Sequence, residues 1–509
     1  MAASRPTGGR LMLRSGTARA PLGRTTIHVA LVISLAFGVL AGAAGYWGVV
    51  EAPGLIRSPN DAAVIAAART VPRGLIRDRT GKILADNKTD ANGETYRVYA
   101  GRAISQVVGY ASPVYGRAGL ERAYDAELAG LAGDPLSDAF AKFGADRYDP
   151  KDLTLSLSLS LQKAAVAALG KHRGAVVMLD PRSGEVLAMA STPTYDASAI
   201  ADPVTARTTF ETLQGDPNQP LLPRATLGRY VPGSVFKIVT AVAGLGSGAI
   251  DPATTFARQP AAEKDGLLVE GYRVHDGHHG ATGSTALDLI GATEVSCNIY
   301  YALTGLETGG RDLVAYARRM GFGSPLPFDL PTAVSQVTNG DGSQPGGFTD
   351  DVELANASYG QAETFVTPIQ MALVAATVAN DGELMQPSLV TSMTGKRGGA
   401  HTFGPRGMGR VIPVADARAI NAAMVQAVEG PLGRQFTTGA KVPGVTTAGK
   451  SGTAQLGGTG EPHSWFIGFA PAEAPTVAIA VLVEQGGRGA EVAAPIAGEM
   501  MTLYLKGTR

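Results

Sequence analysis

The sequence predicts an α+β fold: a five-stranded antiparallel sheet packed with helices, preceded by a small β-rich stalk and one apolar helix. Three observations carry this. Residues 174–180 and 185–190 are apolar runs that flank Pro181-Arg182-Ser183-Gly184, the pattern of a hairpin. Residues 447–455, 464–470 and 476–484 are three more strand-like runs at the other end of the chain, with helical sequence between the two groups. Residues 29–50 are an uncharged run of 22 residues rich in Ala, Val, Leu and Gly. That length suits a bilayer core of about 30 Å at about 1.5 Å per residue.

In chain order, residues 1–26 carry Arg5, Arg10, Arg14, Arg19 and Arg24 and no acidic residue, so this tail is expected to stay cytoplasmic. The anchor is assigned to residues 27–50, and everything after Glu51 is then outside the cell. Ala41-Gly42-Ala43 offers the competing reading of a cleaved signal peptide. Tyr46 and Trp47, placed as interfacial anchors, favour a retained span.

Residues 51–154 read as the stalk, with turn signals at Arg79-Thr80-Gly81 and Asn92-Gly93. Two of its segments stand out. Residues 73–85 (Arg-Gly-Leu-Ile-Arg-Asp-Arg-Thr-Gly-Lys-Ile-Leu-Ala) predict a strand, a turn and a second strand, and Gly119-Leu120-Glu121 is followed by Tyr124-Asp125. Residues 155–509 form the main domain. Within it Thr367-Pro368-Ile369-Gln370 is a capping box with proline at the first helical position, and Asn380-Asp381-Gly382 closes that helix. The Gly-rich stretches 256–283, 331–350 and 391–409 read as surface loops.

Composition excludes some classes of function. The 44 basic and 44 acidic residues leave no formal net charge, so no global field points to nucleic acid. Cys297 is the single cysteine and can form no intramolecular disulfide. His275, Asp276, His278 and His279 invite a metal reading, but no matching ligand cluster lies elsewhere and a glycine-flanked polar loop explains them. No metal or cofactor is expected.

The chemistry centres on Val231-Pro232-Gly233-Ser234-Val235-Phe236-Lys237, which runs into the apolar residues 238–245 and reads as the start of a buried helix ending near Gly246 or Gly248. Ser234 and Lys237 share a helix face, a spacing that suits a lysine taking the serine's proton as the hydroxyl attacks a carbonyl. Ser296-Cys297-Asn298 follows the helical pattern of residues 286–295, and Lys450-Ser451-Gly452-Thr453 sits on the first C-terminal strand. The Ser296 hydroxyl can relay a proton to a leaving amine, and the Asn298 amide can hold Lys237 and a substrate amide. Lys450 brings a second positive charge, Gly452 leaves room for a peptide along the strand, and Thr453 can bind a carboxylate. The backbone N–H groups of Ser234 and Thr453 would form the oxyanion hole. A positive neighbour, a helix N-terminus and burial would together hold Lys237 neutral.

With Ser-x-x-Lys, Ser-x-Asn and Lys-Ser-Gly in this order, the sequence resembles the serine acyl transferases that bind penicillin. More narrowly it resembles the class B penicillin-binding proteins, on residues 73–85, Gly119 to Asp125, Gly360-Gln361 and residues 367–372. Its short stalk is most similar to the actinobacterial penicillin-binding protein A type. The resemblance implies the penicillin-binding transpeptidase fold with an all-helical lobe, and a stalk like the dimerisation domain of those proteins. It makes Ser234 the acylated nucleophile, Lys237 its base, Ser296 and Asn298 the relay pair, and Lys450, Ser451, Gly452 and Thr453 the strand that binds a D-Ala-D-Ala stem peptide or a β-lactam. It also implies a SEDS-type membrane glycosyltransferase and other division or elongation proteins as partners. A D,D-carboxypeptidase, a β-lactamase and a non-catalytic scaffold are the rival readings.

Overall fold

The computed structural model describes residues 22–45, 71–91, 93–131, 148–276, 285–396, 399–433, 437–455 and 460–507. The helix Leu22–Gly45 belongs to one compact unit and leaves Leu31, Val32, Leu35, Phe37 and Val39 exposed. Residues 46–50 of the predicted run, with Tyr46 and Trp47, lie outside the described residues. Among the described residues no helix is long and apolar enough to cross a membrane.

The second unit holds the predicted five-stranded sheet. Its strand order is Ala448–Ala454, His463–Ala470, Val477–Val483, Gly174–Leu179 and Val186–Thr192, every pair antiparallel. All but Ala448–Ala454, which carries Lys450, Ser451 and Thr453, read as largely apolar runs because both faces are covered. Val176 and Met178 face a core shared with helices Leu159–Leu169 and Ala493–Gly507. Ala175, Val177 and Leu179 face a second core, shared with helices Lys237–Ser247 and Pro368–Ala379. Alternation along one strand therefore builds two cores.

A six-stranded sheet runs in the order His401–Thr402, Val390–Thr394, Asp152–Leu155, Ile76–Arg77, Ile83–Thr89 and Thr95–Tyr99. The strand–turn–strand expected at residues 73–85 is present, with Ile76 opposite Ala85. Its turn is fixed by the Asp78 carboxylate, which accepts from the N–H groups of Thr80 at 2.8 Å and Lys82 at 3.0 Å. The other edge corrects the reading of residues 391–409 as a loop. Val390–Thr394 pairs antiparallel with Asp152–Leu155, so its order comes from a partner far back in the chain that local glycine content does not reveal.

Residues 256–283 also carry more structure than expected: a helix, Gln259–Asp265, and a hairpin of Leu267–Val269 with Tyr272–Val274. The hairpin closes through Glu270 and Gly271, both at positive φ (42° and 87°), as a tight two-residue turn demands. Residues 331–350 contain no helix or strand, as expected. The helix Pro368–Ala379 starts where predicted, but only half of its capping box forms. Thr367 Oγ1 accepts from Gln370 N at 3.2 Å, whereas Gln370 Nε2 donates to Met320 O at 2.7 Å and Thr367 N donates to Ser335 Oγ at 3.1 Å. The helix is buried along its length, and Ser335 Oγ takes the Thr367 N–H that the glutamine would otherwise accept.

Candidate active site

Ser234 lies on a single 3₁₀ turn, Gly233–Phe236, that feeds the helix Lys237–Ser247; Gly248 ends that helix in the left-handed conformation. Gly233 makes the turn possible. Its φ is +58°, and a Cβ there would come within 2.9 Å of Thr453 O. The turn is thereby pressed against the strand Ala448–Ala454.

Lys237 is fully buried. Its Nζ donates to Asn298 Oδ1 at 2.8 Å, to Ser296 Oγ at 3.3 Å and to the Ser296 carbonyl. Lys450, equally buried, donates from Nζ to the same Ser296 Oγ at 2.8 Å and to Ser451 O at 3.0 Å. One hydroxyl thus joins two lysines from different elements. Burial lowers the Lys237 pKa from 10.5 to about 8, against the opposing pull of Asp276, Cys297 and Glu263. Burial and then Lys237 push Lys450 well below the usual lysine range. Desolvation is therefore the chief reason that Lys237 loses its proton readily.

Ser296 does not continue a helix. It sits between Leu289–Glu294 and Asn298–Thr308 with φ at +59°, a left-handed conformation that is costly for a residue with a Cβ. That bend turns both its carbonyl and its hydroxyl toward Lys237. Cys297 caps the second helix, its Sγ accepting from Tyr300 N at 3.2 Å. Asn298 Nδ2 donates to His275 O at 3.3 Å, so the amide is oriented from both ends.

A cleft of about 970 Å³ opens in front of this group. Ser234, Asn298 and Thr453 line it; Ser451 and Gly452 do not. Thr453 is exposed and its Oγ1 accepts from Gly489 N at 3.2 Å. Gly452 has a different task from the one expected. A Cβ at Gly452 would lie 2.9 Å from Pro232 O and 3.1 Å from a Val235 methyl, so the missing side chain lets the strand approach the serine turn. No hydrogen bond joins the Ser234 hydroxyl to Lys237 among the described residues. Such contacts commonly tighten only when substrate arrives.

Sequence reasoning missed Tyr272, Arg273 and Tyr359, which also line the cleft, and gave no site role to Gln361, which lines it too. The turn residues Glu270 and Gly271 were the available sign of the hairpin that carries the first two. Cys297 Sγ donates to Glu263 Oε1 at 2.8 Å, and burial with Asp276 and Glu263 raises its pKa well above the usual thiol range. It is a protonated thiol rather than a nucleophile. Glu263, Asp276 and Cys297 hold their donor atoms within 4.8 Å of one another, close enough to share a cation. His275 contributes its carbonyl to Asn298, and His278 and His279 lie outside the described residues.

A serine on a short turn, backed by a buried lysine that shares the hydroxyl of a second serine, Ser296, with another lysine, is the arrangement of a serine acyltransferase. The chain belongs to the penicillin-binding transpeptidases: residues 174–502 match the penicillin binding protein transpeptidase domain, and residues 73–146 the penicillin binding protein A dimerisation domain. It is 35% identical to the peptidoglycan D,D-transpeptidase PbpA of Mycolicibacterium smegmatis over 92% of this chain and 96% of that one. It is 33% identical to PbpA of Mycobacterium tuberculosis, over 90% of this chain and 94% of the relative. Among solved structures it is similar to the penicillin G acyl-enzyme complex of penicillin-binding protein A from M. tuberculosis, with TM-score 0.75 and 31% identity over 85% of this chain and 99% of that one.

Proposed function

We propose that this chain is a peptidoglycan D,D-transpeptidase that cross-links stem peptides through a Ser234 acyl-enzyme and is inhibited covalently by β-lactams. The observation that carries this reading is the Lys237–Ser296–Lys450 group directly behind a serine that opens onto a cleft. Support comes from relatives named peptidoglycan D,D-transpeptidase and from the acyl-enzyme complexes of a similar protein.

In this mechanism Ser234 Oγ attacks the carbonyl of the penultimate D-Ala while neutral Lys237 takes its proton. Ser296 passes a proton to the departing D-Ala amine, Thr453 in the cleft wall receives the terminal carboxylate, and Lys450 holds the Ser296 hydroxyl from behind. Asn298 keeps Lys237 in place. An amine of a neighbouring stem then attacks the ester and restores Ser234. These steps need no cofactor. The substrate would lie along the strand Ala448–Ala454, which is an edge of its sheet.

The same reading makes residues 1–26 a cytoplasmic tail, 27–50 a membrane anchor, 51–154 the stalk and 155–509 the catalytic domain outside the cell. The exposed apolar side chains of Leu22–Gly45 support an anchor, since such a surface calls for an apolar cover. A SEDS-type membrane glycosyltransferase and other division or elongation proteins are the proposed partners.

The test is covalent labelling with a fluorescent penicillin. Wild type is expected to label and Ser234→Ala to stay dark; an unlabelled wild type, or label on the variant, would sink the assignment. Mass spectrometry of products from a pentapeptide donor and an amine acceptor then separates transfer from the hydrolysis of a carboxypeptidase. Rapid turnover of penicillin in place of a stable adduct would mark a β-lactamase. Labelling without any peptide turnover would favour the scaffold.

A further inference from the structure

We propose that Glu484 is a positioning residue for the Ser234 nucleophile, acting through Tyr230 and Arg224; this rests on the acyl-enzyme reading above. Glu484 follows the strand Val477–Val483 and does not line the cleft, so it touches neither substrate nor the reacting atoms. Its Oε1 accepts from Arg224 Nε at 2.7 Å and from Tyr230 Oη at 2.8 Å, and its Oε2 pairs with Arg173 Nε at 3.1 Å. Arg224, almost fully buried, sends its two remaining nitrogens to the carbonyls of Gln219 at 2.9 Å and Asn218 at 2.7 Å. A single carboxylate thus ties the loop before the serine segment to the end of a central strand.

Tyr230 transmits this to the nucleophile. Its N–H and carbonyl pair with Val366 in both directions at 2.9 Å, fixing its backbone. Its ring meets His463 and Trp465 edge to face, at 5.4 Å and 6.3 Å between centroids. Trp465 Nε1 in turn donates to Val231 O at 3.0 Å, and Gly233 N donates to Gly360 O at 2.9 Å. The residues leading to Ser234 are therefore held on the sheet side by Glu484 and Trp465, and on the helical side by Val366 and Gly360. With the carboxylate gone, Tyr230 loses a charged acceptor and the buried Arg224 its counter-ion. The turn can then drift by the fraction of an ångström to which acylation is sensitive.

The test measures penicillin acylation of the full chain by stopped flow, separating the non-covalent dissociation constant from the acylation rate constant, for wild type, Glu484→Gln, Tyr230→Phe and the double variant. Tyr230→Phe removes one oxygen and keeps the ring, so it preserves the fold if Glu484→Gln does not. We expect each single variant to slow the acylation rate constant by about tenfold, with the dissociation constant changed less than about twofold. The double variant should be little slower than either single one, because both remove the same tie. Glu484→Asp, which keeps the charge, should recover part of the rate. Unchanged acylation rate constants with only a lowered melting temperature would overturn the proposal, as would additive losses in the double variant. A wild type that is not acylated would instead overturn the acyl-enzyme reading, and this proposal with it.

Discussion

Arg73 and Glu121 are joined side chain to side chain at 2.9 Å, so the two N-terminal segments that stand out in the sequence, residues 73–85 and 119–125, are one interlocked piece. Arg73 also reaches Asp125 Oδ1 at 2.7 Å, and the Glu121 carboxylate takes Arg97 Nε at 2.6 Å. Glu121 is fully buried, and its two arginines hold its pKa below the usual carboxylate range against the opposing cost of burial. Each motif exists to satisfy the other.

Replacing Glu121 by Gln takes the carboxylate partner from buried Arg97 and leaves Arg73 with Asp125 alone. The expected loss is about 3 kcal/mol of stability, typical of breaking a buried ion pair. Chemical denaturation measures it, and an unchanged midpoint would show that the network is not what ties these two segments together. Penicillin labelling of the folded fraction should persist, because none of these residues lines the cleft.

Under the proposed mechanism Lys237 sets the pH dependence of acylation. Its pKa falls from 10.5 to about 8, and the neutral amine is the form that accepts a proton. The acylation rate should therefore rise with pH through about 8 and level off above it. A rate that is flat or falls across that range would exclude Lys237 as the base. Lys237→Ala should cost about 10²- to 10⁴-fold in the same assay.

Ser296 separates backbone strain from chemistry. At φ +59° a Cβ is penalised, so Ser296→Gly should be more stable than Ser296→Ala by about 1 kcal/mol, although both lose the hydroxyl. Both variants should acylate slowly, since neither can join Lys237 to Lys450. Equal melting curves for the two would show that the bend stores no strain.

Much of this was legible in the sequence for a physical reason. Ser234, Lys237, Ser296, Asn298 and Lys450 are residue types that acyl transfer requires in short local patterns, and the structure brings Lys237, Ser296, Asn298 and Lys450 into one hydrogen-bonded group behind Ser234. The five-stranded sheet was legible because strands covered on both faces leave largely apolar runs. What escaped was set by distant neighbours. Gly452 is small because Pro232 lies across from it, and Val390–Thr394 is a strand because Asp152–Leu155 awaits it. Neither fact has a local trace.

The strand Val390–Thr394 also imposes an order in time. Leu155 pairs with Val390, so the six-stranded sheet is incomplete until roughly 240 further residues have left the ribosome, on the order of ten to fifty seconds at typical synthesis rates. Through that interval the nascent chain carries Asp152–Leu155 as an open edge, a surface prone to mispairing. Slowed synthesis would lengthen the time for which that edge stays open.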